Sequence, residues 1–227
     1  MKIHFCSFAS ENFICRQNLQ KEFLLESGFS EENIYLLNPT NLNKDFYKYQ
    51  PNASELNCFG WFTFKPYLLI SILEKLKEGD ILLYMDVNDK PLKGIKKYLE
   101  NFFLENKKIK ILAPKTNYPN IKFLSRFHKK NLSIELIFSS FINFQPEAGT
   151  IAIKNSPHTI SILWSWYYLT LIQSQELDKF HDNKSRHDQE TLFLLSRIYK
   201  SIKLESWLIY KLIGKGIRKF IQYEKLR

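Results

Sequence analysis

Short apolar runs alternate with stretches of helical spacing along most of the 227-residue chain, and this alternation limits the fold more than any other feature. Residues 2–9, 33–37, 80–85, 108–114 and 149–154 read as strands. Residues 12–28, 63–79 and 91–107 read as amphipathic helices. Gly28 and Gly79 close the first two, and Pro66 stands near the first turn of the second, where a missing N–H costs little. Strands separated by helices of this length need crossover connections, so the expectation is an α/β domain with a largely parallel sheet. The polar, Asn-rich residues 38–57 read as a loop with one helical turn. After residue 119 the pattern turns helical, with a long helix over 157–173, a polar loop over 173–185 and a short helix over 186–197.

Cysteine usage and charge narrow the class. Cys6, Cys15 and Cys58 form no CxxC pair and have no histidine at metal-ligand spacing, which argues against a disulfide framework or a zinc site and fits a reducing cytoplasm. The N-terminus reads as a first strand and not a signal peptide, and no run approaches the roughly 18 apolar residues of a membrane span, so a soluble or peripheral protein is expected. The formal charge is +10, and residues 196–227 carry nine Lys or Arg against two Glu. The chain therefore divides into a main domain, 1–204, and a basic tail, 205–227. The tail places apolar side chains such as Ile217 on one helical face and cations such as Lys211, Lys215 and Arg218 on the other. That amphipathic pattern fits a helix lying on an anionic membrane surface, and equally a helix docked on the core with its outer face charged.

The run Ile81 to Met85 ends in Asp86-Val87-Asn88-Asp89. In open α/β sheets ligands bind outside the carboxyl ends of the strands, which is where this tetrad falls. Asp86 together with Asn88 or Asp89 offers hard oxygen ligands of the kind Mg²⁺ or Mn²⁺ prefers. The same four residues serve equally well as a turn and the cap of the helix that begins near Pro91.

Three blocks carry a resemblance: GWFTFKPYLLISILEKLKEGDILLYMDVND at 60–89, EAGTIAIKNSP at 147–157 and SRHDQETLFLL at 185–195. In this order, over about a third of the chain, they resemble bacterial glycosyltransferases with the GT-A fold of the capsule and lipopolysaccharide type. The matching positions include Gly60, Trp61, Lys65, Pro66, Gly79, Asp80, Tyr84 and Asp86. Phe64 departs from a Trp that is common there, and Asn88 stands where a small residue or Asp is expected.

The resemblance implies a GT-A-like, Rossmann-like mixed sheet flanked by helices. It also implies transfer of a sugar from a nucleotide diphosphate to a hydroxyl of a surface-polysaccharide or lipid-linked glycan, at the inner face of the cell membrane. Donor binding falls to Ala9, Ser10, Lys65, Asp86 and Asn88, and the metal, Mg²⁺ or Mn²⁺, to Asp86 and Asn88. Glu147 and Asp188 are the catalytic candidates, with His187 and Gln189 facing the acceptor. Ser185 and Asp188 also read as a capping box, without any substrate. The rival is a non-enzymatic basic α/β protein that binds nucleic acid or recruits partners to membranes. No nucleic-acid recognition motif supports it, and the excess charge lies at one end of the chain.

Overall fold

The structure, a computed structural model, describes residues 1–91, 94–119, 144–146, 148–180, 187–205 and 213–214. In chain order its main elements are β1 (Ile3–Phe8), α1 (Ile14–Glu26), β2 (Ile34–Leu37), α2 (Lys44–Tyr49), α3 (Phe64–Leu73), β3 (Ile81–Met85), β4 (Lys90–Pro91), α4 (Ile95–Glu105), β5 (Ile111–Pro119), β6 (Phe144–Pro146), β7 (Thr150–Lys154), α5 (Pro157–Phe180), α6 (His187–Ile198), β8 (Ile202–Glu205) and β9 (Ile213–Gly214).

The main sheet runs β2-β1-β3-β7-β5-β6, with β8 also paired to β5. β3 is covered on both sides, which explains its unbroken apolar sequence. Ile81, Leu83 and Met85 pack with Phe5, Leu24, Leu99 and Phe103 on one face. Leu82 and Tyr84 pack with Leu69, Leu73 and Trp166 on the other, as the period of two along a strand requires. Each such buried side chain stabilises the fold by roughly 1.5–3 kcal/mol. α4 presents Ile95, Leu99, Phe102 and Phe103 as one buried stripe.

The largely parallel sheet expected from the alternation gives way to a mixed one. β1 pairs in parallel with β2 and β3, and β5 with β8. β7 instead runs antiparallel to both β3 and β5. Strand direction depends on which end of the sheet a connection enters, and apolar periodicity does not encode that. The reversal matters for the site, because it sets Thr150 opposite Met85 and brings Gly149 beside the tip of β3.

Three other segments depart from the sequence reading. Residues 44–49 of the expected loop form α2, whose N-terminus is capped by the Asn43 side chain accepting from the N–H groups of Asp45 and Phe46. α5 runs on to Phe180 through the expected polar loop, because Gln173 and Ser174 are buried and Gln173 Nε2 donates to Glu190 Oε2 of α6 at 2.9 Å. β8 spans Ile202–Glu205. Within the expected tail helix, Ile213–Gly214 is extended and pairs antiparallel with β4. The rest of that tail lies outside the described residues. Among the described residues, no single helix is long and apolar enough to cross a membrane.

Candidate functional site

The tip of β3 is fixed from three directions. The Asp86 N–H donates to the Gly149 carbonyl at 2.7 Å, and the Asp89 N–H closes a turn onto the Asp86 carbonyl at 2.9 Å. From α1, Gln20 Nε2 donates to the carbonyls of Asp86 at 3.0 Å and Asp89 at 2.8 Å. One helical turn earlier, Gln17 Nε2 donates to the carbonyls of Ser7 at 3.2 Å and Leu37 at 3.0 Å, tying the ends of β1 and β2 to the same helix. Both glutamines lie on the stripe of α1 that also buries Leu24. Gly149 permits the closest approach: a Cβ there would stand 2.8 Å from Asp86 Oδ2 and 3.5 Å from Asp89 Oδ2.

Asp86 has one oxygen engaged. Its Oδ1 accepts from the Tyr84 hydroxyl at 2.7 Å and faces Lys65 Nζ at 3.6 Å, while 45% of the side chain remains exposed. Desolvation raises its pKa from the ordinary carboxylate value. Lys65 and the Tyr84 hydrogen bond oppose the rise, and Asp188 adds to it. Lys65 itself is 2% exposed on the core helix α3. Its ammonium donates to Asp188 Oδ2 at 2.7 Å and to the Ala148 carbonyl at 3.0 Å. Burial pulls the Lys65 pKa down, but Asp188 and Asp86 more than offset this and leave it raised.

Beside Asp86 opens a cleft of about 310 Å³. Phe8, Phe13, Phe59, Phe62, Phe64 and Tyr84 supply its apolar wall, and Ser10, Glu55, Asp86 and Asn88 its polar groups. Much of one wall is a left-handed turn. Cys58, Phe59, Gly60, Trp61 and Phe62 all have positive φ, between 48° and 74°, and the Phe62 N–H donates to the Cys58 carbonyl at 3.0 Å. Left-handed backbone costs roughly 1–2 kcal/mol for each non-glycine residue, and such strain persists only where packing holds it. Phe59 and Phe64 provide that packing around Phe8, with ring centroids 5.2 Å and 4.3 Å from it.

The expected site residues sort as follows. Asp86, Asn88 and Ser10 line the cleft. Ala9 is 1% exposed and its N–H is held by the Leu37 carbonyl. Lys65 is buried, and its ammonium is turned toward two carboxylates and a carbonyl as their counter-ion. Asp188 is 3% exposed, and its carboxylate is bound to Lys65 through Oδ2 and to the Gln189 N–H through Oδ1 at 2.9 Å. Gln189 is 8% exposed, and its side-chain carbonyl oxygen has no hydrogen-bond partner among the described residues. Glu147, Ser185 and the His187 side chain lie outside the described residues.

A divalent ion on Asp86 and Asn88 does not fit these side chains as they stand. Asn88 Oδ1 accepts from Arg16 Nη1 at 2.5 Å. An ion on the same oxygen, at the roughly 2.1 Å usual for Mg²⁺, would sit about 5 Å from the guanidinium. At an effective dielectric of about 20, a double and a single positive charge at that distance repel by roughly 7 kcal/mol. Among the described residues, no group of three or more His, Cys, Asp or Glu side chains converges to hold an ion.

Arg16, Gln17 and Gln20 were not singled out in the sequence. A signal was present for the glutamines: amides at the spacing of Leu24, on the stripe that should be apolar, are buried polar groups in need of partners. The left-handed turn has no comparable signal beyond Gly60.

No family model matches the chain, and no curated protein matches it in sequence. Among solved structures, the fold is similar to mouse xyloside xylosyltransferase 1, with 10% identity and a TM-score of 0.52 over 90% of this chain and 85% of that one. Weaker likenesses are to a glycosyltransferase involved in glycosylation of the PBCV-1 major capsid (11% identity, TM-score 0.48, 91% and 83% covered) and to the galactosyltransferase LgtC in complex with donor and acceptor sugar analogs (12%, 0.47, 90% and 73%). The first of these likenesses shows the fold, a GT-A-like mixed sheet flanked by helices.

Proposed function

We propose that the chain is a glycosyltransferase that binds a nucleotide-diphosphate sugar in the cleft beside Asp86 and transfers the sugar to a hydroxyl of a glycan. One observation carries the reading: at the carboxyl ends of β1 and β3, an aromatic-walled cleft of about 310 Å³ adjoins an acidic turn that Gln20 holds in place. A base would lie against the wall that includes Phe59 and Phe62, and the diphosphate would run toward Asp86 and Asn88. The mouse xylosyltransferase, similar in fold, supports the same class of reaction.

Breaking the bond between sugar and diphosphate places negative charge on the leaving oxygen, so positive groups at the strand tip favour the transition state over the ground state. Gln189, which the sequence resemblance assigns to the acceptor, has a buried side-chain oxygen without a hydrogen-bond partner among the described residues. The finer assignments follow the sequence resemblance: a surface polysaccharide or lipid-linked glycan as acceptor, and a cytoplasmic enzyme held at the inner face of the membrane through residues 205–227.

The test is release of nucleoside diphosphate from a panel of nucleotide sugars, with and without glycan acceptors. Turnover of donors sharing one base, lost in Asp86→Ala, supports the reading. A protein that turns over none of the panel and is stabilised by no nucleotide refutes it. Flotation with anionic vesicles tests the membrane assignment, which falls if the full chain and a chain ending at Leu204 partition alike.

A further inference from the structure

The misfit between Asn88 and a divalent ion arises from a cation that is already in place. Arg16 of α1 touches two residues of the cleft wall: its Nη1 donates to Asn88 Oδ1 at 2.5 Å and its guanidinium lies 5.1 Å from the centroid of the Phe13 ring. Phe13 and Asn88 both line the cleft. The helix that carries Arg16 is pinned to the strand tips by Gln17 and Gln20, so the guanidinium is held on a fixed base.

The identity of residue 88 decides what that cation can do. A carboxylate there would cancel the arginine's charge in an ion pair. An amide occupies one of the five N–H donors of the guanidinium and cancels nothing. The remaining donors keep the forked geometry that matches phosphate oxygens. Lys65 offers no such charge, since its ammonium is buried against Asp188 at 2.7 Å and Asp86 at 3.6 Å.

Resting on the nucleotide-sugar reading above, we infer that Arg16, positioned by Asn88 and Phe13, is the cation that binds the donor diphosphate, and that this chain binds nucleoside diphosphates without a divalent ion. Asn88 is then a positioning residue that leaves the guanidinium charged and aimed, and not a metal ligand. The arrangement places a fixed positive charge where negative charge develops on the leaving diphosphate.

The experiment is calorimetric titration of the intact protein with the diphosphates of adenosine, guanosine, cytidine, uridine and thymidine, each in EDTA and in MnCl₂. Wild type, Arg16→Gln, Arg16→Lys and Asn88→Asp are compared, with thermal unfolding as the check on folding. One diphosphate should bind the wild type with about the same affinity in both buffers. Arg16→Gln should weaken it about tenfold or more, as loss of a charge-assisted hydrogen bond implies, with Arg16→Lys recovering part. Asn88→Asp should weaken binding in EDTA and regain it with Mn²⁺, because the new carboxylate neutralises Arg16 and supplies a metal ligand. Binding by the wild type only with Mn²⁺, or an unchanged Arg16→Gln, overturns the inference and leaves the nucleotide reading intact. Failure of all five diphosphates in both buffers overturns the nucleotide reading and the inference with it.

Discussion

Replacing Lys65 with methionine removes one charge from a buried cluster while keeping most of the side-chain volume. In the wild type the ammonium is 2% exposed and bonds Asp188 Oδ2 at 2.7 Å and the Ala148 carbonyl at 3.0 Å. Without it, the carboxylate of Asp188, itself 3% exposed, is left uncompensated. Removing one partner of a buried ion pair costs about 3–5 kcal/mol. For a domain of this size each kcal/mol lowers Tm by roughly 2–4 °C, so Lys65→Met should melt roughly 6–20 °C below wild type. The double variant Lys65→Met, Asp188→Leu removes the orphaned charge as well and should recover more than half of the loss. The pH dependence has a definite sign. The raised Lys65 pKa means its stabilisation is complete below the ordinary lysine value and is lost only as pH climbs through the higher folded value, so the wild type loses nothing from this group near neutrality. Urea and thermal unfolding followed by circular dichroism measure all of this. A single variant within about 1 kcal/mol of wild type, or a double variant no more stable than the single, would refute the reasoning.

Gly149→Ala should cost little stability but lower nucleotide affinity severalfold, because its Cβ would stand 2.8 Å from Asp86 Oδ2 and force that carboxylate to move; unchanged titration isotherms would contradict this. Gln20→Leu deprives the carbonyls of Asp86 and Asp89 of their shared donor and should destabilise by about 1–3 kcal/mol, with weaker nucleotide binding; a variant indistinguishable from wild type in both would show that α1 does not position the turn. Cys58 lies in the cleft wall, and burial, with Asp188 adding and Lys65 opposing, raises its pKa, so N-ethylmaleimide should label it more slowly than the exposed Cys15 and faster as pH rises. A bound nucleoside diphosphate should protect it, and equal labelling rates with and without nucleotide would place the ligand elsewhere.

The parts of this architecture that were legible in the sequence are those with a repeating physical cause. The strand at 81–85 and the helix stripe of Ile95, Leu99, Phe102 and Phe103 follow from burial at fixed periods. The acidic turn after Met85 was legible because three polar residues, Asp86, Asn88 and Asp89, ended an apolar run. The antiparallel direction of β7 was hidden, since strand direction leaves no mark on alternation. So was the commitment of Lys65 to Asp188, because their partnership spans 123 positions and no local pattern joins them. Arg16 reads as an ordinary cation on an amphipathic helix until Asn88, 72 positions away, meets it. The α5 extension was hidden for a related reason: Gln173 reads as loop chemistry unless the Glu190 it bonds is known to lie beside it.

The most direct measurement of the central claim is a crystal structure of the protein with a bound nucleoside diphosphate. The base should lie against Phe59 and Phe62, with the diphosphate oxygens at hydrogen-bond distance from the Arg16 guanidinium beside Asn88. A nucleotide seated outside the cleft, or one whose diphosphate points away from the tip of β3, would contradict it.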